Sequence, residues 1–429
     1  MHTPSPQKAG LHTAFRRRRL SRPSVAALGC SALVLTATAT GASAAPGAES
    51  AQVAPTPAAQ LTHDVSVDGV ERHLHALQRI ADDNGGTRAV TTSGFDASVD
   101  YVAGTLRDAG FDVSTPEFDY QAEILDVAGL EVGGRAIPIK PMTFTPSTPA
   151  GGVTGPLLVV PGDGCEAADY AGLTATGAVA MIRRGTCTFT QKQQVAADAG
   201  AIAAVIANNV PGPLDGTLGD AAAARIPTGG ISQADGDGLL GSGGAPARVE
   251  LQVRREDRVG RNVIAQTRTG RPDNVVMAGA HLDSVEEGPG INDNGSGTGA
   301  LVEMAEEIAQ LKGKPRNRIR FAFWGAEESG LVGSTAYVAD LIESGEIDDI
   351  EANLNFDMLA SPNFVRFVYD GDNSTGEGDV GPPGSAEIEQ VFLRYFALQG
   401  LEVEPTAFDG RSDYGPFIAP EALVPAGGL

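Results

Sequence analysis

Residues 274–311, NVVMAGAHLDSVEEGPGINDNGSGTGALVEMAEEIAQL, contain an apolar run, a glycine-rich turn and an amphipathic stretch. This order predicts a buried strand followed by a helix, which we expect at residues 299–311. The pattern recurs at RIRFAFWG (residues 318–325) with a helix expected at residues 331–342, and two further apolar runs are ANLNFDM (residues 352–358) and FVRFVYD (residues 364–370). Such alternation predicts an α/β fold with a mixed, mostly parallel sheet covered by helices on both faces.

The chain before this region consists of two segments that differ in the spacing of their apolar residues. Residues 66–123 show helical spacing of apolar positions and predict the N-terminal helical part of the same domain. Residues 124–256 consist of short β-type runs separated by glycine and proline, which predicts a small β-rich inserted module. The α/β domain then occupies residues 257–429.

The first residues predict export. Residues 1–44 combine a basic segment, an apolar stretch and a small-residue cleavage signal, as in a signal peptide, and residues 45–65 predict a flexible mature N-terminus. Loss of the six basic residues before Ala45 would change the formal net charge from -23 to -29. So acidic a chain disfavours nucleic acid and anionic lipid. From the leader we expect a secreted, extracellular protein without membrane association after removal of the signal, and we expect a monomer.

Cys165 and Cys187 are the two cysteines that follow the leader. In an oxidising compartment such a pair favours a disulfide, which would close a loop of about 20 residues and contribute roughly 3 kcal/mol in the chain-entropy model. The alternative, a metal site, has no histidine or further cysteine nearby. We therefore predict the disulfide.

One histidine and three acidic residues come directly after the predicted strands. His281 ends the first strand, Glu327 and Glu328 follow the second, and Asp357 ends the third. Because ligands in open α/β sheets gather beyond the carboxyl ends of the strands, we expect these side chains at one edge. Each alone has an ordinary explanation, as a buried histidine, an acidic first turn of a helix or a cap. Together they favour a metal site.

Zinc chemistry accounts for the whole set. Zinc accepts imidazole nitrogen and carboxylate oxygen, and a pair of ions needs a carboxylate between them. Asp293, in the turn GINDNGSG before a helix, is suited to that bridging position. Glu327, beside the ligand Glu328, is then free to take a proton from a bridging water, and Asp283 would orient His281 from behind.

The runs that carry these residues resemble one family. GAHLDSVEEGPGINDNGSGTGALVEMAE, RIRFAFWGAEESGLVGSTAYV, NLNFDMLASPN and FDGRSDYGPF are similar to the secreted zinc aminopeptidases of the aminopeptidase S and aminopeptidase Y type. The runs GCEAADYAGL and IRRGTCTFTQKQQVAADAGAIAAVIANN resemble the protease-associated domain, which in its family is a lid or substrate-access module and can pair cysteines at these positions.

This resemblance implies two zinc ions and hydrolysis of the first peptide bond of peptides or proteins, most commonly after a large apolar residue. The implied ligands are His281 and Asp357 on one zinc, Asp293 between the two, and Glu328 on the other. Glu327 would be the general base. Arg411, in GRSD, matches a position that helps to hold the substrate near its free amine.

The sequence departs from that family at its last residues. There, a tyrosine and a histidine after a PAGGL-like strand complete the second zinc position, whereas this sequence ends at PAGGL and has no histidine after Asp357. We therefore expect a C-terminally truncated form of a longer enzyme, in which one zinc is better held than the other. The alternative is a catalytically impaired, peptide-binding pseudo-peptidase.

Two further functions remain as alternatives from the residues alone. One is a secreted binding module, in which the protease-associated domain captures peptides and the α/β domain is only a scaffold. The other is a serine hydrolase that uses Ser296, for which no second histidine with a suitable acid is present.

Overall fold

A computed structural model describes residues 56–219, 221–376 and 378–429. The predicted signal peptide, residues 1–44, lies outside the described residues. The described residues form nine α-helices, which are α1 (Pro57–Asp64), α2 (Val67–Asp83), α3 (Ser93–Asp108), α4 (Phe189–Asp198), α5 (Gln233–Leu239), α6 (Gly295–Gln310), α7 (Val332–Ser344), α8 (Ser385–Gln399) and α9 (Gly415–Ile418).

Sixteen β-strands accompany the helices in the described residues. They are β1 (Asp112–Ser114), β2 (Glu117–Val132), β3 (Arg135–Ile137), β4 (Lys140–Pro141), β5 (Val153–Val159), β6 (Val179–Arg183), β7 (Ala203–Ala207), β8 (Thr228–Ile231), β9 (Pro246–Arg261), β10 (Val263–Gln266), β11 (Arg271–His281), β12 (Asn317–Trp324), β13 (Ile350–Asn355), β14 (Phe367–Tyr369), β15 (Glu404–Thr406) and β16 (Ala426–Gly428).

The main sheet has six strands in the order β1-β10-β12-β11-β13-β16. The four strands β12, β11, β13 and β16 are parallel, while β1 and β10 extend one side with antiparallel pairing. The register pairs His281 with Trp324, so β11 and β12 end side by side. This confirms the predicted mixed, mostly parallel sheet.

Hydrophobic residues on the two faces of this sheet pack against different helices. On one face, Phe321 and Phe323 of β12 contact the apolar sides of α2, α3 and α6. On the other face, Ala322 and Trp324 pack with Val338 of α7. Because side chains alternate along a strand, one continuous apolar run supplies both cores, as the sequence predicted.

The β-rich module forms its own eight-stranded sheet in the order β3-β2-β9-β5-β6-β7-β8-β4. Its two longest strands, β2 and β9, pair antiparallel from Glu117 opposite Arg261 to Val132 opposite Ala247. At one end of this ribbon, β9 leads directly into β10 of the main sheet. The insertion is therefore joined to the α/β domain by two long paired strands.

The predicted disulfide is present in the inserted module. Cys165 and Cys187 are bonded, with 5.9 Å between their Cα atoms. The helix that follows, α4, begins at the N-cap Thr188, whose side chain accepts from Gln191 N. The crosslink thus ties the start of α4 to the loop before the short 3₁₀ helix Ala167–Tyr170.

Three details differ from the sequence-based expectations. Residues 57–64, expected to be flexible, form α1, because Thr56 caps the helix, Pro57 suits its first turn and Leu61 packs on the core. Helix α6 begins at Gly295 instead of residue 299, since the Asn294 side chain caps it. The apolar run at residues 364–370 supplies only β14, which pairs with β15 outside the main sheet.

Among the described residues, no helix is both long enough and apolar enough to cross a membrane.

Candidate metal centre

The candidate site lies where three neighbouring parallel strands end. His281 is the last residue of β11, Glu327 and Glu328 follow β12, and Asp357 follows β13. Asp293 comes from the loop between β11 and α6. The structure therefore brings together all five side chains that the sequence selected as ligands or base.

The His281 ring is fully buried and surrounded by carboxylates on one side. Its Nδ1 donates to the backbone oxygen of Asp283 at 3.1 Å, which leaves Nε2 facing the acidic groups. From Nε2, the distances to carboxylate oxygens are 3.0 Å for Asp293, 3.5 Å for Asp357 and 3.8 Å for Glu327. A histidine oriented in this way presents its free nitrogen as a metal ligand.

Asp283 links β11, which ends at His281, to the loop that carries Glu327 and Glu328. One of its carboxylate oxygens accepts from Glu327 N at 3.2 Å and the other from Glu328 N at 3.3 Å. The carboxylate is also 3.6 Å from His281 Nδ1. Asp283 therefore contacts both neighbouring groups, and its orienting role stays a prediction.

Asp357 is held by one oxygen and leaves the other open. Ser412 donates to Asp357 Oδ2 at 2.8 Å, and the Ser412 hydroxyl accepts from Asn355 at 2.9 Å. Asp357 Oδ1 is buried and has no hydrogen-bond partner among the described residues. A buried carboxylate oxygen without a partner is costly, and a cation is the partner that would satisfy it.

The turn that carries Asp293 is held in place by the next residue, Asn294. The Asn294 side chain accepts from Gly297 N at 2.9 Å and donates to Phe356 O at 2.9 Å, which joins the start of α6 to the loop of Asp357. The Asp293–Asn294 peptide bond is cis. Two residues further on, the Ser296 hydroxyl donates to Asn292 O, so it has a structural role in this turn.

Burial and mutual charge change the pKa values of the cluster. Burial by itself lowers the pKa of His281, but the charges of Glu327 and Asp357 raise it well above its usual value. Burial raises the pKa of Glu327 well above its usual range and that of Glu328 to about 7. Burial also opposes ionisation of Asp357, yet the adjacent His281 lowers its pKa. A divalent cation would compete with protons for these side chains.

The donor set fits zinc. His281, Asp293 and Glu328 have ligand atoms within 4.8 Å of one another, and so do His281, Glu327 and Asp357. One imidazole with several carboxylates is a zinc-type set, and a cation held here would satisfy Asp357 Oδ1.

A cavity of 940 Å³ opens beside Asp357. Arg411 lines this cavity and donates to Thr406 Oγ1 at 2.8 Å, so it stands near the acidic cluster without belonging to it. Much of the remaining wall is apolar and consists of Met358, Leu359, Phe364, Val365, Phe367, Phe396 and Leu429. The cavity can therefore receive a molecule with an apolar side chain next to the donor set.

Sequence reasoning missed two buried charged residues near this site. Arg88, between α2 and α3, has no exposed surface and contacts the loop after His281. Asp413 is also buried, and neither of its carboxylate oxygens has a hydrogen-bond partner among the described residues. The signal for Asp413 was its place in GRSD beside Arg411, whereas nothing in the sequence near Arg88 marks it.

Known proteins place the chain in a family. The model of Peptidase family M28 matches residues 262–429, and the PA domain model matches residues 153–239. A probable lipoprotein aminopeptidase, LpqL of Mycobacterium tuberculosis, is 47% identical over 382 residues, which cover 87% of this chain and 75% of that protein. The chain belongs to peptidase family M28. It is a metallo-aminopeptidase with a protease-associated insertion, as the sequence motifs indicated.

Other relatives agree with this family. An aminopeptidase of Pseudomonas aeruginosa is 44% identical over 82% of this chain and 69% of its own length. Leucine aminopeptidase 2 of Trichophyton equinum is 46% identical over 70% of this chain and 60% of its own length. Among solved structures, the aminopeptidase from Aneurinibacillus sp. strain AM-1 matches with a TM-score of 0.67 and 27% identity, covering 86% of each chain. Another solved neighbour is a zinc aminopeptidase from Bacillus subtilis.

Proposed function

We propose that this protein removes N-terminal residues, preferably large and apolar ones, from peptides and proteins outside the cell. The observation that carries the proposal is the convergence of His281, Asp293, Glu327, Glu328 and Asp357 at one sheet edge, beside an open cavity. Family membership supports the reaction class. The residue roles are those that the family resemblance implies, and the proximity of the five side chains supports them.

In this proposal the cluster would hold two zinc ions. His281 and Asp357 would be ligands of one ion, Glu328 would be a ligand of the other, and Asp293 would be shared by both. When bound, zinc supplies positive charge that acidifies water and polarises the carbonyl of the bond to be broken. The Nδ1–H bond to Asp283 O and the Ser412–Asp357 bond keep the ligand atoms directed at that position.

Glu327 is the proposed general base. Its backbone is fixed by Asp283, and its carboxylate lies 3.8 Å from His281 Nε2. The carboxylate takes the proton of the attacking water while the water oxygen bonds to the carbonyl carbon. It then passes that proton to the amine nitrogen that leaves when the peptide bond breaks.

Substrate selection follows from the surroundings of the donor set. The apolar wall of the cavity suits a large aliphatic or aromatic side chain, which agrees with a relative called leucine aminopeptidase 2. Arg411 at the same cavity is assigned to substrate binding. We assign recognition of the free ammonium group to the carboxylates around Glu328, because an ammonium ion needs acceptors of opposite charge.

Hydrolysis of L-leucine 4-nitroanilide by the full chain tests the reaction. We expect release of coloured 4-nitroaniline, which stops when a chelator removes the metal and resumes when zinc is added. The absence of chelator-sensitive release, with the protein folded and zinc-loaded, would favour the alternative of a peptide-binding pseudo-peptidase.

Export and monomeric state are also proposals. The leader at residues 1–44 and the strongly acidic remainder support a secreted monomer. Expression with the leader in an exporting bacterium should give protein in the medium that begins at Ala45. Light scattering should give the mass of one chain. Retention in the cytoplasm, or a dimer mass, would contradict the respective proposal.

A further inference from the structure

Arg88 is a buried cation that the proposed chemistry does not use. The side chain has no exposed surface, although it comes from the loop between α2 and α3, far in sequence from the metal ligands. A buried guanidinium carries a large desolvation cost unless its donors are satisfied. Its partners therefore show what it does in the molecule.

All of its side-chain hydrogen bonds go to one loop. Nη1 donates to Leu282 O, Nε donates to Pro289 O at 2.8 Å, and Nη2 donates to Gly290 O at 2.7 Å. Leu282 directly follows the ligand His281, and Gly290 is three residues before the ligand Asp293. One planar group thus holds both ends of the loop that separates two metal ligands.

The backbone of Arg88 adds to the same contact. Arg88 N donates to Ser284 Oγ at 3.0 Å, and the Ser284 hydroxyl donates to Gly288 O at 2.9 Å. Gly290 O also accepts from Gly295 N, the first residue of α6. The loop is therefore fixed to the preceding helices and to the start of the helix behind Asp293.

We propose that Arg88 is a positioning residue for the metal centre, which sets the distance between His281 and Asp293 through its three carbonyl contacts. His281 Nε2 and Asp293 Oδ1 are 3.0 Å apart. The nine residues after His281, up to Gly290, have no helix or strand that could maintain this distance. The planar guanidinium of Arg88, more than its charge, is what holds these nine residues. This inference rests on the zinc site proposed above.

Zinc affinity of three variants tests this role. The metal-depleted full chain competes with a coloured chelator for zinc. Arg88→Met removes the charge and the fork, whereas Arg88→Lys keeps a charge but offers only a point donor. We expect both to bind zinc about 10- to 100-fold more weakly than the wild type, the range seen when outer partners of metal ligands are lost. Ser284→Ala, which keeps the buried cation, should show a smaller loss and a native fold.

Arg72→Met is the matched control. Arg72 also bridges two elements, since it donates to Glu303 at 2.9 Å and to Glu306 at 2.8 Å, but it does not contact the metal loop. We expect this variant to lose stability while its zinc affinity stays at the wild-type value. The visible absorption of the Co²⁺-loaded proteins, recorded at saturating metal, should change for the Arg88 variants and not for Arg72→Met, because it reports ligand geometry.

The outcomes separate the two proposals. If the wild type binds no zinc, the metal site itself fails. If the wild type binds zinc and Arg88→Lys binds it equally well with an unchanged Co²⁺ spectrum, the fork has no positioning role and the inference about Arg88 is wrong. If the Arg88 variants do not fold, Ser284→Ala decides, because it releases the loop from the backbone of Arg88. An unchanged affinity and spectrum for that variant would show that attachment of the loop at Arg88 does not set the ligand distance, and would overturn the inference.

Discussion

Glu327 is the residue on which the proposed reaction depends most directly. We expect Glu327→Gln to lower kcat by about 10²- to 10⁴-fold, because the amide cannot take a proton from water. Zinc content, measured by atomic emission, should remain at the wild-type value. Glu328→Gln is the control, since it removes a proposed ligand and should reduce the zinc content. A Glu327→Gln protein with wild-type kcat would remove Glu327 from the mechanism.

Asp413 gives a prediction about pH. Burial raises the pKa of Asp413 to about 7, and the charge of Asp413 contributes to the raised pKa of Glu327. In Asp413→Asn this negative charge is absent, so Glu327 should lose its proton at lower pH. Because the base works only when ionised, the acidic limb of the kcat/KM profile should move to lower pH. A limb that stays in place or moves upward would contradict this electrostatic coupling.

The sequence indicated the candidate ligands and Asp283 behind His281, but not Arg88 or Ser412. His281, Glu327 and Asp357 were recognisable because each follows an apolar strand in a motif shared with a family. Arg88 and Ser412 were not, since their partners are backbone or side-chain oxygens distant in the chain, and neither spacing nor residue type indicates such contacts. Sequence patterns report local periodicity, whereas these contacts are set by tertiary packing.

At the scale of elements, the close contact of β11 with β12 explains why residue 279 is a glycine. Gly279 of β11 lies against Trp324, and a Cβ atom there would be 2.7 Å from Trp324 Nε1. The indole cannot move easily, because it is fully buried and packs between Tyr337 of α7 and Phe417 of α9. We expect Gly279→Ala to lower the free energy of unfolding by about 1–3 kcal/mol in urea denaturation.

Gly104→Ala is the matched control for that substitution. Gly104 lies inside α3, and a Cβ atom there would have no neighbour within 4 Å. Alanine favours a helix over glycine by about 1 kcal/mol, so this variant should be more stable than the wild type. If both variants changed stability in the same direction, close packing at Gly279 would not be the cause.

Elements were predicted best where an apolar run is long. The strands β11 and β12 and the helix α7 lie within a few residues of the predicted segments. Helix N-caps explain the two helices that were predicted wrongly. Asn294 caps α6, which therefore starts earlier than predicted, and Thr56 caps α1 in a segment whose composition indicated flexibility. The short run at β14 was ambiguous because apolar residues alone do not say which sheet a strand joins.

At the scale of the whole molecule, the disulfide belongs to the insertion and not to the candidate metal centre. It joins cysteines separated by 22 residues. Replacing both cysteines by serine should lower the free energy of unfolding by roughly 3 kcal/mol, since the loop gains entropy in the unfolded state. Hydrolysis of L-leucine 4-nitroanilide at 25 °C should not change. Equal stability of the two proteins in urea would contradict this.

The sequence pattern indicated an inserted module in the chain, but not the way in which the two parts join. The change from helical spacing to short β-type runs indicated an inserted module, and the PA domain match lies inside it. The paired strands β2 and β9, however, continue across both predicted boundaries, with Ile124 opposite Arg254 and Ala122 opposite Glu256. Composition changes mark domains well and give little information on strands that pass from one domain into the next.

The most direct test of the central claim is mass spectrometry of two otherwise identical peptides that begin with leucine, one with a free α-amino group and one acetylated, after incubation with the zinc-loaded full chain. We expect the free peptide to lose its first residue, the acetylated peptide to stay intact, and chelator to prevent the loss. Cleavage of both peptides, cleavage inside the chain, or loss of leucine that persists without metal would contradict a zinc aminopeptidase built on His281, Asp293, Glu327, Glu328 and Asp357.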